Sequence, residues 1–216
     1  MNEKMKFPPL PAENETATRD RIMAAALEEF VERGPDGARM QRIAERAGAN
    51  KAMIYYYFSS KQALYEKVFR GLIGDRVSKL IGIMSEGGDV EEKVSSLVRF
   101  YCALYGDPDV MRVLLRELAS GAETMKKVMR EMMVEHDFPI RRFWPELIAE
   151  ARKKKRIRAV DPMHALASLV GISAGYYFLR PVVDVILDRE EPDSTRFAAE
   201  RPEKIIDLYL NGLLER

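Results

Sequence analysis

The sequence is poor in the residues that build redox, disulfide and metal sites. Its 216 residues include one cysteine, one tryptophan and two histidines. The single cysteine, Cys102, excludes a disulfide within the chain, which is typical of proteins kept in a reducing cytosol. No second histidine stands at metal-ligand spacing from His136, so we predict no metal site.

Long apolar runs are scarce as well. Residues 1–19 lack the apolar segment of a signal peptide, so we expect a cytoplasmic chain. Residues 163–179 carry no charged side chain and reach the shortest length of a membrane helix. Because this stretch contains Gly171, Ser173 and Gly175, we expect a buried or dimer-forming helix rather than a membrane span.

An excess of charge of one sign is also absent from the chain as a whole. The formal net charge is +1, so affinity for nucleic acid must come from a local patch. Residues 39–70 form such a patch, because seven basic and two acidic side chains give this segment a net charge of +5. The basic residues are Arg39, Arg42, Arg46, Lys51, Lys61, Lys67 and Arg70.

The apolar residues recur at helical spacing, and no segment alternates like a strand, so we predict an all-α fold. Prolines in residues 1–16 indicate a loose N-terminal arm. The first helix should run over residues 18–33 and end at the breakers of residues 34–37. A long helix should follow over residues 61–84.

The remaining two thirds of the sequence are also helical in pattern. Asp89, Asp107 and Asp161 have the position and chemistry of helix N-caps. Prolines 139 and 145 predict a break or kink in the segment 122–156. Residues 188–203 resemble a long loop, followed by a last helix over about 202–214.

Two short helices joined by a glycine turn predict a helix-turn-helix unit. They cover residues 40–47 and 51–57, with Gly48 in the turn and Asn50 as N-cap of the second. Small apolar side chains should lock the two helices together, and these are Ile43, Ala44, Ala47 and Ile54. The first turn of the second helix then faces the major groove of DNA.

Residues 43–64, IAERAGANKAMIYYYFSSKQAL, closely resemble the TetR family of bacterial transcriptional regulators. The preceding TRDRIMAAALEEFVERG is similar to the first helix of that family, so the resemblance covers about residues 18–69. It implies a three-helix DNA-binding domain over residues 17–64 and an effector-binding and dimerisation domain over residues 65–216. It also implies a homodimer on a palindromic operator, with repression as the usual mode.

The resemblance assigns roles to individual positions. Phosphate contacts fall on Tyr55, Tyr56, Tyr57 and Lys61. Base-reading positions fall on Lys51, Ala52 and Met53, where a methionine suits a thymine methyl group. Ordinary alternatives are core packing for Tyr55 and a merely solvated charge for Lys61.

Some positions depart from the family pattern. Many members have Thr or Ser at the position of Arg39, and the hydroxyl caps the helix that follows. Arg39 has no hydroxyl, so this cap is lost, and the contact with phosphate falls to its guanidinium. Asn50 stands in place of a serine and still caps. Ala52 and Met53 replace a Gly-Thr pair, which predicts a different operator, and Tyr57 replaces a frequent histidine.

A cluster of aromatic residues predicts the effector site. As a set these side chains could line an apolar cavity for a small apolar or aromatic effector, although each alone is equally explained by core packing. The predicted lining residues are Tyr101, Tyr105, Phe143, Trp144 and Tyr176. The resemblance implies dimerisation through the last two long helices, about 162–187 and 202–214, but packing within one subunit explains the same small residues.

Two other classes of function compete with this interpretation. An enzyme is disfavoured, because the sequence has no glycine-rich phosphate loop, metal box or nucleophile-base pair, and we expect no cofactor. A helical interaction or ligand-binding protein that does not bind DNA remains the alternative. Binding to operator DNA separates it from a regulator.

Overall fold

The computed structural model describes residues 12–135, 140–190 and 193–213, and all regular elements in these ranges are helices. The predicted all-α fold is confirmed. The helices are α1 (Ala12–Gly37), α2 (Met40–Ala47), α3 (Lys51–Phe58), α4 (Lys61–Ser85), α5 (Val90–Gly106), α6 (Pro108–Ala119), α7 (Glu123–Glu135), α8 (Ile140–Lys153), α9 (Pro162–Ile186) and α10 (Asp193–Leu213).

The chain divides into two compact units, Met1–Gly71 and Leu72–Arg216, and the division falls inside α4. The core of the first unit is built from α1, α2, α3 and the start of α4. Tyr65 and Val68 belong to this core, so the first unit extends past residue 64. A functional domain boundary at residue 64 stays a prediction.

Helix α1 is longer than its sequence pattern suggests. It begins at Ala12, so residues 12–16 are helical and do not belong to a loose arm. Gly34 has φ 71°, a left-handed conformation that favours glycine, and it interrupts the regular helix where the breakers predicted an end. One further turn over residues 35–37 leads into α2.

Three aspartates cap helices of the second unit as predicted. Asp161 accepts a hydrogen bond from the His164 N–H, and Asp89 forms a capping box with Glu92. Asp107 uses both carboxylate oxygens. Its Oδ1 accepts from two backbone N–H groups at the start of α6, while its Oδ2 pairs with the Arg76 guanidinium on α4.

The segment 122–156 contains two separate helices, α7 and α8, as its prolines predicted, but they are not divided at Pro145. Pro145 lies inside α8 without breaking it, and Pro139 is not among the described residues. The predicted loop over 188–203 is largely helix, because α10 begins at Asp193 and continues through Pro202. Pro202 has no N–H to offer the Ala198 carbonyl, and the Tyr177 hydroxyl donates to that oxygen instead, at 3.4 Å.

The core of the second unit surrounds Trp144, which is fully buried and donates its Nε1–H to the Pro162 carbonyl at 2.7 Å. Helix α9 differs from the other helices of the described residues, because it is long and apolar enough to cross a membrane. Only 22% of its most apolar window is buried within the chain. Composition of this kind is also found in helices that pack inside soluble proteins, and α9 leaves a large apolar face uncovered.

Candidate DNA-binding interface and effector region

Helices α2 and α3 form the predicted helix-turn-helix. Gly48 has φ 59°, and its N–H and that of the next residue close the C-terminus of α2. The Asn50 side chain accepts from the Met53 N–H at 2.8 Å and caps α3. The four small apolar residues predicted to lock the helices together, Ile43, Ala44, Ala47 and Ile54, are all buried.

One face of α3 is exposed. Ile54 and Phe58 are buried on the opposite side, which leaves Lys51, Ala52, Tyr55 and Tyr56 turned to solvent. The Tyr56 ring is 77% exposed and Tyr55 is 42% exposed, large values for aromatic side chains. Such a face on a capped short helix has the dimensions and chemistry to enter a DNA groove.

The remaining predicted contact residues of α3 lie at the edges of that face. Met53 and Tyr57 are half-buried, one turn apart. The Tyr57 ring packs edge-on against Tyr56 with centroids 5.3 Å apart, and the Lys51 ammonium lies 5.9 Å from the Tyr55 ring centroid. Met53 is therefore less exposed than the sequence suggested, because it flanks the buried side of the helix.

Arg39 is the N-cap of α2 and makes no side-chain cap. The cap comes from Glu29 of α1, a functional residue that sequence analysis missed. Its carboxylate is fully buried and accepts from the Arg39 N–H at 3.1 Å and from Arg42 Nε at 2.7 Å. The helical pattern of α1 could have pointed to Glu29, because residue 29 occupies a core-facing position between Ala26 and Phe30.

The ionisation of Glu29 follows from these contacts. Burial acts to raise the pKa of Glu29, but the hydrogen bonds from Arg42 and the Arg39 N–H outweigh it. The positive charges of Arg42 and Arg46 act in the same direction, so the pKa is lowered overall. The negative charge also lies at the N-terminus of α2, where it complements the helix dipole.

The local positive patch is smaller in the structure than in the sequence. Arg42 pairs with Glu29, and Arg46 pairs with Glu32 of α1 at 2.8 Å. These acidic partners lie before residue 39, so counting charges over residues 39–70 omitted them. Among the described residues, the patch members without an acidic partner are Arg39, Lys51, Lys61 and Lys67.

Lys61 has a structural role beside its predicted contact with phosphate. Its ammonium is half-buried and donates to the carbonyl oxygens of Asp36 and Ala38, each at 3.3 Å. These contacts hold the start of α4 against the turn between α1 and α2. The phosphate contact stays a prediction, for Lys61 as for the other predicted DNA-binding residues.

The predicted effector residues are distributed over two parts of the second unit. Tyr101 and Phe143 pack around the core that contains Trp144, and the Lys93 ammonium lies 5.5 Å from the Phe143 ring centroid. Tyr105 stacks on Tyr101 at a centroid distance of 6.1 Å.

Tyr176 is turned toward α10 instead of the Tyr101 ring. Its hydroxyl donates to Asp184 Oδ1 at 3.1 Å, and its ring packs against Phe197. Two cavities of the second unit, of about 420 and 300 Å³, are lined by other residues. A pocket among the five predicted residues stays a prediction.

Two polar residues singled out by the sequence have no assigned role. Cys102 is buried, and burial raises the pKa of its thiol. His136 lies outside the described residues. No group of three metal-ligating side chains occurs within the described ranges.

Comparison with known proteins agrees with this architecture. Residues 22–68 match the family described as bacterial regulatory proteins, tetR family. The HTH-type transcriptional regulator RutR of Escherichia coli (strain K12) is 26% identical over 205 residues, which cover 93% of this chain and 92% of RutR. The HTH-type transcriptional repressor SCO4008 of Streptomyces coelicolor is 33% identical over 108 residues, which cover 50% of this chain and 53% of that protein.

A solved structure shows the shared fold over most of the chain. The transcriptional regulator FadR from Bacillus subtilis, in complex with stearoyl-CoA, has a TM-score of 0.63 and 18% identity. The match covers 90% of this chain and 98% of FadR. The helix-turn-helix geometry, the family match and the full-length similarity to RutR lead to one conclusion: this chain is a DNA-binding transcriptional regulator that belongs to the tetR family of bacterial regulatory proteins.

Proposed function

We propose that the chain binds a palindromic operator as a homodimer in the cytoplasm, acts as a repressor, and leaves the DNA when a small apolar or aromatic effector binds its second unit. The observation that carries the DNA-binding part is the exposed face of α3. Tyr56, 77% exposed, has no role in the core and is placed to donate its hydroxyl to a phosphate. Lys51, Ala52 and Met53 supply the sequence readout in this proposal.

Removing the Tyr56 hydroxyl alone tests this contact. Tyr56→Phe should weaken binding to DNA from upstream of the chain's own gene about tenfold, because one hydrogen bond to a charged phosphate is lost. The far-UV circular dichroism should not change, since the ring is exposed. Fluorescence anisotropy with labelled DNA at several salt concentrations measures the affinity.

Lys61 and Lys67 provide a matched pair for the phosphate contact. Lys61→Gln should flatten the slope of log affinity against log salt by about one phosphate contact. Lys67 is an exposed lysine on the same helix, and Lys67→Gln provides the comparison. Wild-type protein that binds no DNA at any salt concentration would favour a helical ligand-binding protein without DNA binding.

Dimerisation is proposed from the uncovered face of α9. Leu179 and Val182 are each 57% exposed, and Ile186 is 74% exposed. Gly171 continues the same stripe toward the N-terminus of the helix, and a Cβ atom added there would meet no atom within 4 Å. Small residues of this kind let two helices approach closely, and covering the apolar stripe favours a second copy of the chain.

The space around Gly171 permits a clean test of the dimer. Gly171→Leu adds bulk where this chain has room, so the fold should survive while a partner helix is blocked. Gly82→Leu on α4 is the matched control, because that position is equally open within the chain. Light scattering should give a dimer for wild type and Gly82→Leu and a monomer for Gly171→Leu. A wild-type monomer at micromolar concentration contradicts the proposal.

The effector acts through α4 in this proposal, because α4 begins in the first unit and ends in the second. The carbonyl of Ile83, in the last turn of α4, and that of Glu86, just after the helix, accept hydrogen bonds from the buried Lys93 ammonium. This ammonium lies beside the Phe143 ring. An effector changes DNA affinity only if it binds one arrangement better than another. The helical FadR, solved with stearoyl-CoA, supports an apolar or long-chain ligand.

A further inference from the structure

The cavity of about 420 Å³ lies between the start of α9 and the last turns of α10. Residues 158–161, which lead into α9, form one side of it. Ile172 of α9 and Leu208 of α10 line it farther along the two helices. A concave region of this size can hold most of a small organic molecule, so its lining indicates which kind of molecule fits.

Contacts with the core of the second unit hold the walls of this cavity in place. The Tyr209 hydroxyl of α10 donates to the Ala165 carbonyl of α9 at 2.6 Å, and both residues line the cavity. Ile157, which precedes the segment 158–161, is buried in the core that contains Trp144. The Trp144 Nε1–H donates to the carbonyl of Pro162, the first residue of α9. Binding here therefore requires little ordering of the chain.

Three polar side chains of the lining are available to a ligand. Arg158, His164 and Ser168 line the cavity, and none of their side chains has a hydrogen-bond or ion-pair partner within the described residues. Arg158 carries a positive charge and five N–H donors, and the other two side chains can each donate a hydrogen bond. His164 and Ser168 lie one turn apart on α9, so both can reach the same ligand group.

Asp161 is the acidic member of the lining, and its carboxylate already has a structural role. Its Oδ1 accepts from the His164 N–H at 2.8 Å and caps α9. The negative charge also lies at the N-terminus of the helix, where it complements the helix dipole. The charge of Arg158 is therefore left for an anion from outside the described residues.

The cavity adjoins the face of α9 proposed for dimerisation, because Gly171 directly precedes Ile172 of the cavity wall. The centres of protein interfaces are depleted in charged side chains. Arg158 and Asp161 both line the cavity, so it suits a charged small molecule better than a partner helix.

The rest of the lining is largely apolar. Ile172 and Tyr209 pack against the core that contains Trp144, and Leu208 is exposed beside them. One guanidinium balances a single negative charge, and its planar donors match the two oxygens of a carboxylate. We propose that this cavity binds a small amphipathic carboxylate, with its apolar body between α9 and α10 and its carboxylate on Arg158. This assignment rests on the proposed effector-binding function and gives the effector a chemical class.

The test compares three probes that share a phenylpropyl skeleton and differ in charge: 3-phenylpropanoate, 3-phenylpropan-1-ol and 3-phenylpropan-1-amine, which is a cation at neutral pH. In calorimetric titrations of wild type the carboxylate should bind most tightly and the cation most weakly, because Arg158 attracts one and repels the other. Arg158→Gln should weaken the carboxylate about tenfold, the effect of losing a hydrogen bond to a charged group. The affinity of the alcohol should not change.

Two further variants control this result. Arg152→Gln removes an exposed arginine at the end of α8 that does not line the cavity, so it should bind all three probes as wild type does. Ser168→Leu places a larger side chain in the cavity and should weaken the carboxylate and the alcohol alike. Arg152, Arg158 and Ser168 are all exposed, so the melting temperature of each variant should stay close to that of wild type.

Three results overturn the proposal: no carboxylate binding at millimolar concentration, tighter binding of the alcohol or the amine than of the carboxylate, or equal carboxylate affinity in wild type and Arg158→Gln. Light scattering on the same proteins tests the other occupant. A change from dimer to monomer in Ser168→Leu with no loss of carboxylate affinity would assign the cavity to a second copy of the chain and would also overturn the proposal.

Operator binding is measured on the same proteins without probe. A wild type that binds the carboxylate through Arg158 but does not bind operator contradicts the regulatory function and leaves the cavity assignment intact. A wild type that binds operator but not the carboxylate overturns the cavity assignment alone.

Discussion

Replacing Glu29 with alanine should loosen the start of α2 and with it the DNA-binding unit. The carboxylate accepts two charge-assisted hydrogen bonds, from the Arg39 N–H and from Arg42 Nε, and it is fully buried. Hydrogen bonds to charged groups contribute about 1.5–3 kcal/mol each. Because the Arg42 guanidinium is partly solvated and can turn to water, we expect a total loss of about 2–4 kcal/mol.

A loss of this size is large against the whole stability of a domain, about 5–15 kcal/mol. Glu29→Gln keeps an acceptor oxygen but loses the charge, so its loss should be smaller, about 1–2 kcal/mol. Glu32→Gln is the control on the same helix, because it removes a carboxylate from an exposed ion pair with Arg46. Its effect should be the smallest of the three.

Amide hydrogen exchange measures this effect where it occurs. In Glu29→Ala, amides of residues 39–47 should exchange about 30-fold faster or more, the factor that corresponds to 2 kcal/mol of local opening. Amides of the second unit should not change. Equal exchange in wild type, Glu29→Ala and Glu32→Gln would refute the role of Glu29 as the cap of α2.

The dependence on pH provides a second check. Because the pKa of Glu29 is lowered in the folded protein, its stabilisation is present above its ordinary pKa of 4.5. It is lost as the pH falls through the lowered folded-state value. The difference in protection between wild type and Glu29→Gln should therefore shrink below pH 4.5, and a difference that grows there contradicts the assignment.

Two further predictions concern single contacts in the structure. Asn50→Ala removes the acceptor of the Met53 N–H and should cost about 1 kcal/mol of stability in the first unit, while Asn50→Ser should retain most of it; thermal unfolding by circular dichroism checks both. Lys93→Met leaves the Ile83 and Glu86 carbonyls without their donor, so it should lower the melting temperature and change the fluorescence emission of Trp144. An unchanged emission spectrum would show that Lys93 does not influence the effector region around Trp144.

The helix-turn-helix was predictable because its signals are local. The left-handed turn and the N-cap of α3 each depend on residues only a few positions apart in the sequence. The small apolar residues buried between α2 and α3 follow from helical spacing. The capping of α2 was not predictable in the same way, because Glu29 lies ten residues before Arg39. Its partners depend on how α1 packs against α2.

The second unit was less predictable for a related reason. Residue 202 was predicted to begin the last helix, but α10 continues through Pro202. The Tyr177 hydroxyl replaces the hydrogen bond that this proline cannot make, and Tyr177 lies 25 positions earlier in the chain. The five aromatic residues proposed for the effector were grouped by type. The Tyr176 hydroxyl instead donates a hydrogen bond to Asp184, and the sequence pattern of α9 does not predict this contact.

The double use of Asp107 restricts which residues evolution can place at that position. An ordinary N-cap accepts Ser, Thr, Asn or Asp, and Asp161, whose described side-chain contact is with the His164 N–H, has that freedom. Asp107 must offer one oxygen to α6 and a second to Arg76. Serine and threonine have a single oxygen, and the amide of asparagine would turn a donor toward the guanidinium. Position 107 therefore tolerates a narrower set of residues than position 161, and its sequence variation is constrained by α4 as well as by α6.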